Sequence, residues 1–468
     1  MALGFEHGIT TFLERRRDVF GEVNVEGSFG ERIKDLQNRM NAQSNHKPVV
    51  VISGAGPAGL LRAVQSISNG NPTRVIEKRS EDAVGLMNTV ALTKHTIVML
   101  QYCGIYQYLR ENKLIYPPNS SGYISVRLAD LRDAMKAVSR ALGVHAVIQY
   151  DSTIIAVDEQ SDKIKLVVQS LNETKSTEEV DIFVNAEGSH STTNGLLGIR
   201  RTEVLPHIPV IAAIYRDNRP KIRGICSLLK YVVKSFIYVA TTIYHHVIFI
   251  FRFLLSKRFR WQFTGALILK TPNQNYVGCG YSDEINKQLL SLEKVVKEKK
   301  EALKNAQIDP EELKIAEEEY NTFAKRWVNY SICFANLVAL TQCFGKGPHL
   351  SMGGHLSFDK FTVIHIGADH ANEYCKSIKK TAVLLAGDAS ATVDPTTGLG
   401  CNTAIQSSVD FLDFIWDYDA GVDSERLLRN YSSRMQERIS YIHDKSREAR
   451  ILFRPDALVP RSMFMNMN

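Results

Sequence analysis

The run Val49-Val50-Val51-Ile52-Ser53-Gly54-Ala55-Gly56-Pro57-Ala58-Gly59-Leu60 decides the fold, together with Glu77, eighteen residues after Gly59. An apolar, β-branched strand breaks into a Gly-x-Gly-x-x-Gly turn and passes into a helix-compatible stretch. A second β-like run, Thr73-Arg74-Val75-Ile76, then ends in the acidic Glu77. Gly54 permits the tight strand-to-helix turn, Gly56 lets the backbone approach a pyrophosphate, and Gly59 lets the helix pack closely on the strand. Ala55, Pro57 and Ala58 complete the turn. The helix start offers free N–H groups and a partial positive charge to phosphates. Glu77 is placed to accept hydrogen bonds from ribose hydroxyls. A plain structural turn would account for the glycines but not for an acid at this spacing.

The 468 residues allow one large or two ordinary domains, and 44% hydrophobic with 23% charged residues describes a folded globular chain. The net charge of +7, from 57 basic and 50 acidic residues, is diffuse. It suits an anionic cofactor or membrane surface and argues against nucleic acid. Seven cysteines lie scattered from Cys103 to Cys401, without a Cys-x-x-Cys pair or metal spacing. They read as free, mostly buried thiols in a reducing compartment. Met1–Phe20 carries Glu6, Glu14, Arg15, Arg16, Arg17 and Asp18 around no apolar core, so no secretory signal is expected. The expected location is cytoplasmic, with peripheral membrane association as an option.

Residues 1–47 read as a helical extension ahead of a dinucleotide domain assigned to 48–204 and 376–417. A substrate or lid domain is assigned to 205–375 and a helical tail to 418–468. Val90–Leu109 reads as helical with a stop at Gly104, and Leu128–Leu142 as a helix closing at Gly143. Strands are expected in Val144–Glu159, Ile164–Val168, Val180–Asn185, Phe263–Leu269 and Tyr276–Tyr281. The charged segment 284–327 reads as two helices divided at Asp309-Pro310, with Glu312 at capping-box spacing.

A second element lies far along the chain. Val383-Leu384-Leu385-Ala386-Gly387-Asp388 is a buried strand running into glycine. It continues through Pro395, Gly398, Leu399, Gly400 and Asn402 into a helix expected to reach Trp416. An aspartate at a strand end can bind a polyol such as ribitol. A Pro-x-x-Gly-x-Gly turn lets backbone approach a flat ring, and the following helix start favours negative charge there. Together the two elements narrow the ligand to FAD.

On these motifs the chain resembles flavoprotein monooxygenases of the FAD-dependent aromatic-hydroxylase type, which include the MICAL monooxygenase domains. The carriers are the glycine fingerprint with Glu77-Lys78-Arg79, the strand ending Ala186-Glu187-Gly188, and Gly387-Asp388 with Pro395, Gly398, Gly400 and Asn402. Asn88-Thr89-Val90-Ala91-Leu92, Thr96-Ile97 and Tyr123-Ile124-Ser125-Val126-Arg127 point to the MICAL branch. The implied fold is α/β: a Rossmann-like, GR2-type, p-hydroxybenzoate-hydroxylase-like FAD domain, an interleaved β-sheet substrate domain and extra helices. By the same resemblance Asn88, Lys78, Arg79 and Arg127 contact the cofactor. The chain departs from the pattern at Glu187, where the family has Asp, and at Asn194, where it has Arg. Ala391 stands where many hydroxylases carry His. Val393 and Asp394 replace the aromatic residues of MICAL proteins.

The resemblance implies that NADPH or NADH reduces FAD, and that reduced flavin captures O2 as a C4a-hydroperoxide. One oxygen then passes to a lipophilic small molecule or a protein side chain. Two alternatives stay open: a flavin-dependent reductase or oxidase without oxygen insertion, and a non-catalytic FAD-binding, membrane-associated module. No catalytic base is assigned, and His365 and His370 near Asp369 have no third ligand at metal spacing.

Residues 225–256 are dominated by Ile, Val, Phe, Tyr and Leu. On a helix, Lys230, Lys234, Tyr238, Thr241, His245 and Arg252 share an arc of roughly 80°, leaving a broad apolar face. Ser235–Phe251, the longest stretch without Lys or Arg, has seventeen residues, short of the ~20 of a comfortable span. A buried lid over the substrate and a peripheral membrane contact both fit.

Overall fold

The computed structural model describes residues 27–41, 47–81, 89–116, 124–143, 146–217, 263–270, 275–281, 283–304, 309–324, 356–394 and 397–451. Asn88, Pro395 and the apolar segment 225–256 lie outside the described residues, as does most of the N-terminal extension. The chain divides into two compact units, residues 1–206 with 367–447, and 207–366 with 448–468. The sequence placed the corresponding passages at 204/205 and 375/376.

The first unit is built on a six-stranded sheet. Its strands are β1 (Val50–Ser53), β2 (Thr73–Ile76), β3 (Ala146–Gln149), β4 (Ile182–Asn185), β5 (Cys375–Ile378) and β6 (Thr381–Leu385), in the order β5-β6-β4-β1-β2-β3. All pairings are parallel except the β5–β6 edge. Val50 pairs with both Thr73 and Ile182, so β1 runs between β2 and β4. The parallel strands read β3-β2-β1 to one side and β4-β6 to the other. The order reverses between β1 and β4, where an open α/β sheet forms its ligand crevice at the strand carboxyl ends.

Strands β1, β4 and β6 are buried at every position because both faces of the sheet are covered. Side chains alternate between two cores. Val50, Ile52, Val184 and Leu384 pack with the helices. Val51, Phe183, Val383 and Leu385 pack with Ile154, Leu166 and Val168. Those last three belong to an antiparallel meander of Ser152–Asp158, Lys165–Ser170 and Lys175–Glu179. The unit is thus three layers: helices, parallel sheet, meander.

The helices used below are α1 (Phe29–Asn41), α2 (Pro57–Ser68), α3 (Leu128–Leu142), α4 (Gly400–Gln406), α5 (Ser408–Asp419) and α6 (Ser424–Ile451). In α2 every residue from Gly59 to Ser68 is buried, because α3 and α5 pack on it. Helix α3 occupies the predicted span and stops at Gly143, whose φ is 85°.

Two expectations need correcting. Helix does not begin at Val90, although the expected stop at Gly104 is present. Thr89–Leu92 is a strand paired with Ile124–Arg127, Thr93 caps a helix over Lys94–Tyr102, and Gly104 separates it from another over Ile105–Glu111. The apolar β-branched start found a partner strand, and the Thr93 side chain accepts from Thr96 N. Likewise the helix expected to run to Trp416 breaks at Ser407 into α4 and α5.

In the second unit, Phe263–Lys270 and Asn275–Tyr281 form an antiparallel pair, and the latter also pairs with residues 210–215. Helices Asp283–Lys304 and 310–324 follow. Asp309 Oδ1 accepts from Glu311 N at 2.9 Å, as a cap should. Glu312 does not close a capping box; it takes Lys299 at 2.6 Å from the preceding helix.

Candidate dinucleotide site

The turn after β1 sets the site. A Cβ on Gly54, whose φ is 99°, would lie 2.4 Å from Ala186 O, and one on Gly59 would lie 2.0 Å from Gly54 O. These two glycines are demanded by packing of the turn against the end of β4. Gly56 is different: nothing lies within 4 Å of a Cβ placed there. Its backbone is extended (φ −77°, ψ 175°), it caps α2, and Pro57 begins the helix. Gly56 therefore leaves a cradle at a helix start that a methyl group would fill, and this fits a close-approaching phosphate.

Glu77 is buried at the end of β2. Its Oε2 accepts from Ala55 N at 2.7 Å and from Arg79 Nη2 at 3.1 Å. Its Oε1 accepts from Arg79 N at 3.0 Å and Nε at 2.9 Å. Burial raises the carboxyl pKa, but the Arg79 and Ala55 hydrogen bonds outweigh it and leave Glu77 below the ordinary glutamate value. The acid thus fixes the fingerprint turn to β2. A ribose reaching it would have to share the carboxylate with Arg79. Lys78 and Arg79 are exposed beside it.

The second element meets the first directly. A Cβ on Gly387, whose φ is 58°, would lie 2.7 Å from Ala58 Cβ, so two motifs more than three hundred residues apart in sequence are in contact. Arg62, fully buried on α2, ties them further. It donates to Ala58 O at 3.0 Å, Ala404 O at 3.4 Å and Ser407 Oγ at 3.1 Å. Asp388 stays exposed at this turn. Gly398, with φ 65°, is exposed, and Leu399 and Gly400 open α4.

Two residues expected at the cofactor have side chains occupied elsewhere. Asn402 Oδ1 accepts from Thr93 N at 3.0 Å and Thr96 Oγ1 at 2.8 Å, and its amide donates to Ala91 O at 2.9 Å. It braces α4 against the Thr89–Leu92 strand. Arg127 makes a two-pronged pair with Asp130, 2.6 Å on each prong.

The departures at Glu187 and Asn194 form a network of their own. Glu187 accepts from Ser53 Oγ, from Ser191 Oγ at 2.8 Å, and from Thr193 N and Oγ1 at 3.1 and 2.6 Å. Burial raises its pKa, yet these donors hold it below the usual value. Asn194, buried, accepts from Asn185 Nδ2 at 2.8 Å and donates to Ala389 O at 3.0 Å. The longer acid reaches back to β1, and the amide clamps the Gly387–Ala389 turn.

Arg201 completes that clamp, and sequence spacing gives no sign of it. Its Nη1 donates to Asp388 O at 2.9 Å and Ala389 O at 3.0 Å, and its fork binds Asp369. Burial raises the Asp369 pKa, but Arg201 and Thr392 bring it below the ordinary value. Among the described residues Cys103, Cys375 and Cys401 are free, and burial pushes each thiol up to about 12. At such values the thiol form prevails at neutral pH.

Residues 358–446 match the family described as an FAD binding domain. The match covers the Gly387 turn and α4 through most of α6. No curated protein matches the chain. Among solved structures the chain is similar to p-nitrophenol 4-monooxygenase PnpA from Pseudomonas putida DLL-E4. That likeness has a TM-score of 0.57 and 14% identity, over 90% of this chain and 92% of the other. Anhydrotetracycline hydroxylase OxyS from Streptomyces rimosus gives 0.56 and 17%, over 88% and 70%. The flavin-dependent halogenase CmlS gives 0.60 and 14%, over 88% and 67%. The chain therefore has the p-hydroxybenzoate-hydroxylase-like, GR2-type flavoprotein fold.

Proposed function

We propose that the chain is an FAD-dependent monooxygenase that takes electrons from NADH or NADPH. It transfers one oxygen of O2 to a lipophilic small molecule or a protein side chain. The observation that carries this reading is the contact of the Gly54–Gly59 turn with the Gly387–Asp388 turn at the switch point of the sheet, in a fold shared with hydroxylases.

When bound, FAD supplies the electron carrier and the reaction with O2. The residues of the chain bind and orient it. Gly56 and the start of α2 take the pyrophosphate, Glu77 with Arg79 the adenosine ribose, and Asp388 the ribitol. Gly398 to Gly400 bring backbone to the ring. Arg62, Arg201, Asn194 and Asn402 hold these elements in place without needing to touch the cofactor. Glu187 and Asn194, which depart from the family pattern, brace β1 and the Gly387–Ala389 turn. The closer likeness to MICAL domains rests on Asn88–Leu92, Thr96-Ile97 and Tyr123–Arg127 alone.

The lipophilic substrate class rests on the composition of 225–256, which would also suit contact with a lipid surface. Among the described residues no helix is long and apolar enough to cross a membrane. The test is NADH and NADPH consumption by the purified flavoprotein, with and without O2, followed by mass spectrometry of a lysate or metabolite mixture. A product heavier by one oxygen supports the proposal. Oxygen consumption that yields only hydrogen peroxide across candidate substrates, or NAD(P)H turnover that is sustained without O2 beyond one reduction of the flavin, counts against it.

A further inference from the structure

Behind the Gly387–Val393 turn, between α4 and α6, lies a cavity of about 20 Å³, against the ~10–15 Å³ that one water requires. Its apolar wall is Ala391, Val393, Ala404, Met435, Ile439 and Ile442. The polar groups on the wall are committed to the protein. Ser390 Oγ donates to Gly387 O at 2.6 Å, Thr403 Oγ1 to Leu399 O at 2.9 Å and Ser407 Oγ to Ala404 O at 3.1 Å. Arg438 pairs with Asp410 at 2.8 Å, and His443 Nε2 faces Thr392 O at 3.4 Å. Asp388 borders the cavity from its exposed side.

A buried water needs two to four polar partners, whereas the donors of this wall are spent on carbonyls and a carboxylate and the surface that faces the cavity is mainly the apolar wall named above. A site of this size and polarity fits a small apolar diatomic better than water. Gly387, Asp388, Val393 and Gly400 belong both to this wall and to the turn assigned to ribitol and ring. We propose that the cavity is a docking pocket for molecular oxygen, the co-substrate of the reaction proposed above, on which this inference rests.

Crystals of the FAD-loaded full chain pressurised with xenon read the pocket directly, because xenon is an apolar probe of similar size. The expected result is one xenon atom between Ala404, Met435 and Ile439. An ordered water there, or no xenon, overturns the proposal. Ile439→Phe fills the space, and Ala404→Val is a milder alternative should the first not fold. Each should abolish the xenon site and slow the reoxidation of reduced FAD by O2 relative to wild type, with FAD content per chain unchanged. Reoxidation at the wild-type rate in a variant without the xenon site overturns the oxygen role. A wild-type chain that binds no FAD overturns the parent function and the oxygen role together. That outcome is told apart by a missing flavin spectrum before any gas is applied.

Discussion

Gly59→Ala and Gly56→Ala should separate folding from cofactor binding, although they sit three residues apart in one motif. A methyl at position 59 would lie 2.0 Å from Gly54 O, where real Cβ contacts essentially never fall under 3.0 Å. Backbone, not a flexible side chain, is in the way, so α2 must shift off the sheet. Such overpacking costs about 3 kcal/mol or more, a large part of the ~5–15 kcal/mol that holds a typical domain. At position 56 the methyl meets nothing within 4 Å and the backbone is one alanine adopts freely. Lost unfolded-state entropy favours alanine by up to about 1 kcal/mol and its poorer capping of α2 opposes by a similar amount, so stability should stay within about 1 kcal/mol of wild type. The same methyl occupies the phosphate approach and should weaken FAD at least about tenfold, or ~1.4 kcal/mol. Urea unfolding of the flavin-free protein and fluorescence titration with FAD measure the two effects. Wild-type FAD affinity in Gly56→Ala, with unchanged stability, would refute the phosphate assignment.

Asp388→Ala should leave stability within about 0.5 kcal/mol, because the residue is exposed, while FAD binding weakens about tenfold; equilibrium dialysis against FAD checks it. Arg201→Lys loses the fork on Asp369 and the paired carbonyl contacts, so a loss of about 2 kcal/mol in urea unfolding is expected. Glu187→Gln removes a carboxylate with four donors and should cost about 2 kcal/mol at neutral pH. The folded-state pKa of Glu187 lies below its ordinary value of 4.5. Its contribution is therefore present above that value and lost as pH falls through the lower folded pKa. Wild type and Glu187→Gln should converge in stability as the pH falls below 4.5 and through the lower folded pKa; a constant gap across that range would contradict the assignment.

The fingerprint was legible because each glycine answers a local demand: Gly54 and Gly59 face Ala186 and one another, and Gly56 faces a cradle. Helix Leu128–Leu142 was legible to the residue, since its periodicity ends at a glycine with positive φ. The strand at Thr89–Leu92 was hidden because its partner, Ile124–Arg127, is more than thirty residues away and apolar content alone does not reveal it. Asn402 and Arg127 carry motif positions, but their partners Ala91, Thr93, Thr96 and Asp130 emerge only in three dimensions. Glu187 and Asn194 looked like losses from the family pattern. They are matched to Ser53, Thr193 and Ala389, a pairing that spacing could not show. Arg62 and Arg201 left no motif at all, because their partners beyond the local turn, Ala404 and Ser407 for Arg62 and Asp369, Asp388 and Ala389 for Arg201, lie far along the chain.

The central claim is that FAD occupies the junction of the Gly54–Gly59 and Gly387–Gly400 turns. The visible absorption spectrum and FAD content of the purified chain, measured for wild type, Gly56→Ala and Asp388→Ala, test it most directly. The account predicts an oxidised-flavin spectrum with one FAD per chain in the wild type and marked loss in both variants, all three remaining folded. A wild-type protein that takes up no FAD when supplied with it, or variants that retain it fully, would contradict the account.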